Sequence, residues 1–567
     1  MLRGSRTVKK VLFFLLIFTS FFIHANEVSL FDQVTQISDE YMELIEDDFE
    51  NIDDEKLFYY FVLVSEESSR LDEFLEFYRD LKIRIELDAE KDYGTTNVAE
   101  YTDSMKKQFA ESLLVYLHKS PFKEYNFDSN KISEIIDFGR YNCVSSSILY
   151  AILLKKYGFL SNAIETSDHV FIEVVFQNDK IDVETTNKFG FNPGTKKEAL
   201  DNFGKVTGFN YVSPKDYKNR NKIDLKKLLF LLSHNLANYY YKSRNFIKSA
   251  NLGYIIYLGR GDNKGKEEFD VYFNNLLVNL TDKKEYKKGI ELVNEYLEAY
   301  GFSENFVKLR FDLINNFING CGDFENFEEL NAYVLNENSK YEQLKDNKRF
   351  IDSYFYLIYK AVTFYNKKQN FDKSFELLKD FKENYRHKDA IKLFSNTMID
   401  NMDILFKNND MEVFRAKIES LKSLFKDFSP EIEKYEKIYM INFVNNILKS
   451  GDIEKALSEA KKLKNVYPND ASLLSLLKSC YVKYTVSFYE KKEIEDTINY
   501  SLEALTFFPQ DSTLINNFKA FFQNFIFDAL EKKDLSKARK LTDRALEIFD
   551  KESYFIQVDK TLKERNY

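Results

Sequence analysis

The chain contains no tryptophan, and its 567 residues include only six prolines, 17 glycines, five histidines and three cysteines. With helix breakers this scarce, helices are expected along most of its length. Cys143, Cys321 and Cys480 are too few and too far apart to build the disulfide framework of a small secreted scaffold, and they are expected as free thiols. Cys321, in Asn319-Gly320-Cys321-Gly322, and Cys480, in a leucine-rich stretch, read as structural residues. His118, His234 and His387 stand alone on helical segments, with no cysteine or second histidine at ligand spacing, so no metal site is expected. There is no glycine-rich phosphate loop, and no cofactor is implied. A basic surplus is also missing. The formal net charge is -10 and the lysines alternate with Glu and Asp, which argues against nucleic acid as a partner.

Bulk is what the chain has in excess: aromatic residues reach 16%, with Tyr 38 and Phe 54. A chain this long needs more than one hydrophobic core. At the N-terminus Arg3, Arg6, Lys9 and Lys10 precede an apolar run from Val11 to Ile23 and the small residue Ala25, the three-part pattern of a secretory signal over residues 1–25. The run is short for a membrane span, so the mature form is expected to have none, with an uncleaved anchor as the alternative. Removing residues 1–25 takes away four basic and no acidic residues, which moves the formal charge from -10 to -14. Export to the periplasm or cell envelope, or secretion, is the expectation.

Residues 26–118 carry helical periodicity, as in Leu71, Phe74, Leu75 and Tyr78, with a break at Tyr93-Gly94-Thr95-Thr96. Between Phe138 and Asn192 the texture changes. A helix from about Cys143 to Tyr157 stops at Gly158, and two β-rich runs follow, Val170 to Phe176 and Ile181 to Thr186, with Gln177-Asn178-Asp179-Lys180 as their turn. A connector with Pro193-Gly194 and Ser213-Pro214 leads into nearly uninterrupted helix over 224–567. That region repeats. Phe246, Tyr286, Phe327, Phe371, Met411, Ile453, Ile494 and Leu535 recur every 40–44 residues, each opening the second helix of about eight hairpin units. Three residues on stand Ser249, Gly289, Leu330, Ser374, Phe414, Ala456, Thr497 and Ala538, mostly small, as close helix approach requires. Gly451-Asp452-Ile453-Glu454-Lys455-Ala456-Leu457 and Tyr467-Pro468-Asn469-Asp470 resemble the tetratricopeptide repeat and its inter-repeat turn. An all-α helical-hairpin solenoid that binds protein or peptide is the expectation for this half.

The chemistry is expected in between. Asn142 can cap a helix opening at Cys143, which sets the thiol among unpaired first-turn N–H groups, where a thiolate is favoured. His169, at the mouth of a strand, can meet that thiol and carry its proton. A third group must orient the ring, and the following strand offers Asp182, Glu184 and, just beyond, Asn187. A regular hairpin turning on Asn178 and Asp179 would set His169 opposite Lys188, so a twist or bulge must bring a carboxylate close.

Tyr141-Asn142-Cys143, Asp168-His169-Val170-Phe171 and Val183-Glu184-Thr185-Thr186-Asn187, over residues 119–192, resemble the bacterial transglutaminase-like fold of the papain-like thiol enzymes. The resemblance implies an α+β domain, set here at 119–223, in which Cys143 is the acyl-accepting nucleophile, His169 the general base and acid, and Glu184 the orienting carboxylate. The family usually has Asp at the third position, so Glu184 is a departure and Asp182 or Asn187 remains an alternative. The indole usual near its oxyanion site is absent, which leaves the Cys143 N–H with Asn142 or Tyr141. The implied function is an exported cysteine peptidase or transglutaminase-like acyltransferase, acting by amide hydrolysis or transamidation, joined to a protein-binding repeat array. The alternative is a non-catalytic envelope scaffold with a degenerate thiol domain.

Overall fold

The computed structural model describes residues 28–195, 219–340, 348–407 and 411–564. The expected signal segment and Ser213-Pro214 lie outside the described residues. The expected helical lead-in consists of α1 (Leu30–Thr35), α2 (Asp39–Glu46), α3 (Asp54–Val64), α4 (Leu71–Tyr93) and α5 (Asp103–Leu117). Ser29, Ser38, Asp53 and Thr102 each accept a first-turn N–H and so start four of the five. α4 stops where Gly94 takes a left-handed φ of 76°. α3 is apolar nearly all round, with Leu57, Phe58 and Tyr60 to Val64 buried, so it must lie inside rather than on a surface.

Two short parallel strands follow, β1 (Glu124–Tyr125) and β2 (Arg140–Tyr141), and β2 feeds directly into α6 (Cys143–Lys156). Every residue from Cys143 to Leu154 is buried, because α6 has α3 and α5 on one side and a sheet on the other. After Gly158 the chain forms β3 (Leu160–Glu165), β4 (Val170–Val175), β5 (Lys180–Val183) and β6 (Asn221–Ile223), in sheet order β5-β4-β3-β6 with every neighbour antiparallel. The sequence shows only the β4–β5 hairpin. β3 has no apolar alternation and is fixed by pairing on both edges, with β4 and β6.

Tetratricopeptide-like helical hairpins fill the rest: α7 (Leu225–Lys242), α8 (Phe246–Arg260), α9 (Asn263–Asp282), α10 (Tyr286–Tyr300) and α11 (Glu304–Gly320), then α12 (Phe327–Ser339), α13 (Lys348–Lys367), α14 (Phe371–Asn384), α15 (Ala390–Lys407), α16 (Met411–Leu424), α17 (Ser429–Ser450), α18 (Ile453–Val466), α19 (Ala471–Glu490), α20 (Ile494–Phe507), α21 (Ser512–Glu531), α22 (Leu535–Ile548) and α23 (Ser553–Glu564). All eight recurring positions are the first residues of helices. Two residues before six of them stands a left-handed residue, Arg244, Lys284, Gln369, Gly451, Lys492 or Lys533, which ends the preceding helix and reverses the chain.

The chain divides into two compact units, 1–321 and 322–567. The border expected at 223/224 therefore falls inside the first unit. The reason is packing: α7 lies on α3, α6 and β3, while α1 lies on α8 and α10, so the lead-in and the thiol region share a core with the first hairpins.

Candidate functional site

Asn142 starts α6 with a reciprocal cap. Its Oδ1 accepts the Ser145 N–H at 2.9 Å, and its own N–H donates to Ser145 Oγ at 3.0 Å. Cys143 is therefore the first helical residue, and its N–H is one of the first-turn donors that a helix leaves without an internal acceptor. The run Ser145-Ser146-Ser147 does more than stay small. Ser146 Oγ donates to the Asn142 carbonyl at 2.7 Å, and the Ser146 and Ser147 hydroxyls both meet Thr185 Oγ1 at 2.8 Å, which ties the thiol helix to the segment after β5.

His169 closes a tight turn before β4: its N–H donates to Thr166 Oγ1 at 3.1 Å, and its carbonyl accepts the Thr166 N–H at 2.9 Å. The β4–β5 hairpin pairs Val175 with Lys180, and the Phe176 N–H donates to the Asp179 carbonyl, so the turn rests on Gln177-Asn178. It comes one residue earlier than expected. The register, continued past the end of β5, sets His169 level with Thr186 instead of Lys188 and makes Glu184 its diagonal neighbour on the same face. His169 Nε2 donates to Glu184 Oε2 at 2.6 Å. The ring shares a further hydrogen bond with the Cys143 thiol, for which Nδ1 remains. Burial by itself lowers the basicity of His169, but the Glu184 charge and the bond to Cys143 outweigh it and hold the ring well above its ordinary value. Burial likewise raises the Glu184 carboxyl, and the His169 charge with the hydrogen bonds from His169 and Thr186 brings it below the usual range.

The alternatives for the third position are placed elsewhere. Asp182 lies across from Glu173 and takes both terminal nitrogens of Arg220, at 3.0 and 2.9 Å. Asn187 builds the following turn: its N–H donates to the Glu184 carbonyl, its own carbonyl accepts the Gly190 N–H, and its Oδ1 accepts the Phe189 N–H. The oxyanion candidates are also engaged. Asn142 Nδ2 donates to Asn130 Oδ1 and the Phe127 carbonyl, and the Tyr141 hydroxyl donates to the Thr186 carbonyl. That leaves the Cys143 N–H as the donor among the expected set.

Several supporting residues are not visible in the sequence, because they are distant along the chain. His118 is pushed down to about 4 by burial, so it is neutral near pH 7 and its Nε2–H donates to the Thr185 carbonyl at 3.0 Å. Tyr125, level with Tyr141 across the β1–β2 pair, has its phenol raised by burial and then by the charges of Cys143 and Glu184, which places its hydroxyl in the field of the site. Gly190 passes so close to Glu184 that a Cβ there would lie 1.9 Å from the Glu184 carbonyl oxygen. Only the pattern of a lone glycine after a polar turn could have drawn attention to it.

Cys143 and His169 open into a cleft of about 420 Å³ within the first unit. Its other wall comes from α7 and α9, with His234, Asn238, Lys264 and Glu268. Arg260 is buried and pairs with Glu165 at 3.2 Å, so it joins α8 to β3. Among the described residues no group of three or more His, Cys, Asp or Glu side chains is placed to hold a metal ion. No helix of the described residues is long and apolar enough to cross a membrane.

No family model matches the chain, and no curated protein matches it. Among solved structures, the chain is similar to the human IFIT1 dimer with PPP-AAAA, at 14% identity over 60% of this chain and 79% of that one, with a TM-score of 0.18. It is also similar to Naa15/Naa10 bound to HypK-THB, at 13% identity over 59% of this chain and 56% of that one, with a TM-score of 0.15.

Proposed function

We propose that the protein is an exported, thiol-dependent acyl-transfer enzyme whose reactive centre is Cys143, His169 and Glu184, in a transglutaminase-like domain carried by a protein- or peptide-binding repeat array. The observation that supports this most is the buried chain of hydrogen bonds from Glu184 through the His169 ring to the Cys143 thiol at a helix start. In the reaction Cys143 sulfur attacks an amide carbonyl carbon, and the oxyanion that forms faces the Cys143 N–H. His169 gives its proton to the departing amine. Water or an amine then attacks the thioester, His169 takes the proton of that attacker, and the thiol leaves. Glu184 stays ionised throughout and stabilises the imidazolium. Export rests on the pattern of residues 1–25, and N-terminal sequencing of the mature chain should find its start at or near Asn26.

An electrophilic amide-mimicking thiol probe tests the chemistry. Stoichiometric labelling of Cys143 that disappears in His169→Ala supports the enzyme. Labelling no faster than at Cys321 and Cys480 would leave the non-catalytic scaffold as the better reading.

A further inference from the structure

α7 turns Leu231, His234, Asn235 and Asn238 toward the cleft that contains Cys143 and His169, at positions i, i+3, i+4 and i+7 of one helix face. Asn238 Nδ2 donates to His234 Nε2 at 3.0 Å, and the other ring nitrogen meets the Tyr272 hydroxyl at 3.1 Å. The polar side chains elsewhere around the cleft are engaged as well: Thr166 closes its turn with His169, Ser167 donates to Asp168 at 3.2 Å, Asn142 caps α6, and Lys264 pairs with Glu165. Asn235 is the exception. Its carboxamide is partly buried, lines the cleft and has no hydrogen bond to any described residue. Leu236 and Ala237 beside it are buried, so the helix fixes where this coplanar donor and acceptor stand. Phe127 lines the same cleft and is 57% exposed. Its backbone is fixed next to the thiol helix: the Asn126 N–H donates to the Tyr141 carbonyl at 2.8 Å, Asn126 Oδ1 accepts the Asp128 N–H at 2.9 Å, and the Phe127 carbonyl accepts Asn142 Nδ2 at 3.3 Å. The cleft thus combines one unengaged amide with one apolar ring held in water, and covering that ring is favourable.

We infer that Asn235 and Phe127 form a subsite for an extended peptide: the Asn235 carboxamide pairs with the main-chain N–H and C=O of one substrate residue, and the apolar side chain of that residue lies against the Phe127 ring. This assignment rests on the acyl-transfer reading and names its substrate class as a polypeptide with an apolar residue beside the reacting amide. In an extended chain the N–H and C=O of one residue point to the same side, so a single carboxamide takes both. Pairing with the main chain holds any sequence, and the ring adds the preference for an apolar one. Asn235 lies outside residues 119–192, so the first repeat hairpin itself supplies a substrate contact.

The test uses the full-length protein and three reagents: acetyl-phenylalanyl-glycine chloromethyl ketone, the same compound methylated on the phenylalanine nitrogen, and its analogue with alanine in place of phenylalanine. Each alkylates the thiol by displacement of chloride, which forms a C–S bond and releases chloride and the thiol proton. Methylation removes one main-chain donor. It should slow labelling of Cys143 roughly fivefold or more in the wild type and about twofold at most in Asn235→Ala, a difference of the size of one hydrogen bond. The change from phenylalanine to alanine should likewise slow labelling roughly fivefold or more in the wild type and about twofold at most in Phe127→Ala. Each ratio is read within one protein, so a general change in folding does not imitate the result, and the two variants test the two contacts separately. An equal cost of either change in the wild type and in its matching variant would overturn the subsite and leave the thiol chemistry standing, as would labelling of Cys143 by iodoacetamide but by none of the three reagents. Absence of Cys143 labelling by all of them and by iodoacetamide would remove the thiol chemistry and the substrate assignment with it.

Discussion

Thr186 donates twice to one oxygen of Glu184: its hydroxyl lies 2.7 Å and its N–H 3.2 Å from Oε1, which leaves Oε2 to face His169 alone. A buried carboxylate needs several donors to stay ionised, and here they come from the two residues that bracket it in space, Thr186 and His169.

The Glu184 charge is the largest influence raising His169. Glu184→Gln should therefore lower the ring's titration midpoint and slow alkylation of Cys143 near pH 6.5 by roughly tenfold or more, since one unit of pKa corresponds to about 1.4 kcal/mol. Asp182→Asn, which releases Arg220 instead, should have a smaller effect on the ring. Histidine titration by NMR together with iodoacetamide rates in each variant decides this, and a larger effect from Asp182→Asn would move the orienting role there.

Gly190→Ala should be more damaging than its size suggests. The added Cβ would fall 1.9 Å from the Glu184 carbonyl oxygen, a backbone atom that cannot rotate away, and the Glu184 N–H itself donates to the Gly190 carbonyl. The segment that presents Glu184 has to shift, so probe labelling of Cys143 should fall at least as far as in Glu184→Gln. Helical content by circular dichroism should be nearly unchanged, because the residue lies in a loop.

The helical half was legible because its signal is periodic. Eight positions spaced 40–44 residues apart each open a helix, and three residues on, all but Leu330 and Phe414 are small and buried, as when Ser249 donates its hydroxyl to the Ala237 carbonyl across the hairpin. The thiol helix and the β4–β5 hairpin were legible from a cap and from alternation. β3 and β6 were not, because Leu160-Ser161-Asn162-Ala163-Ile164-Glu165 owes its strand form to partners rather than to its own pattern. The third member stayed open because moving a two-residue turn by one position moves the facing residue by two, and sequence alone does not fix such a turn. The shared core of 28–321 was hidden for a related reason: an apolar helix face shows that it is covered, and not by what.

The second unit should fold alone. Within it Lys437–Asp470, Lys478–Asp511 and Lys519–Glu552 repeat one ion pair every 41 residues, with Asp470 and Asp511 also capping the next helix. Neighbouring hairpins supply the core, as in the cluster around Phe518, Phe522 and Phe555. A fragment spanning Gly322–Tyr567 is expected to be helical by circular dichroism and to unfold cooperatively, whereas one starting at Asp224 carries α7 stripped of α3 and α6 and α8 stripped of α1 and α2, and should aggregate more readily. A non-cooperative melt of the shorter fragment would show that the division at residue 321 does not mark a folding unit.

Acid should loosen the site before it unfolds the repeats, and the sign follows from His118. Its folded value of about 4 lies below the ordinary 6.5, so between those values the unfolded chain binds a proton that the folded chain refuses. Stability from keeping this ring neutral is present above about pH 6.5 and is lost as pH falls toward 4. At pH 4.5 the loss is about 2.5 kcal/mol, from 1.36 kcal/mol per pKa unit. His169 has the opposite sign: raised in the folded state, it stabilises below about pH 6.5 and loses that contribution as pH rises through its folded value. Glu184, lowered from 4.5, adds stability above that value that disappears in stronger acid. His118→Gln keeps an N–H for the Thr185 carbonyl but cannot titrate. Amide hydrogen exchange at the start of α6, compared between wild type and His118→Gln, should show the gap between them shifting by about 2–3 kcal/mol in favour of the variant from pH 7.5 to 4.5. A gap that stays constant over this range would mean that the ring is not held neutral against Thr185.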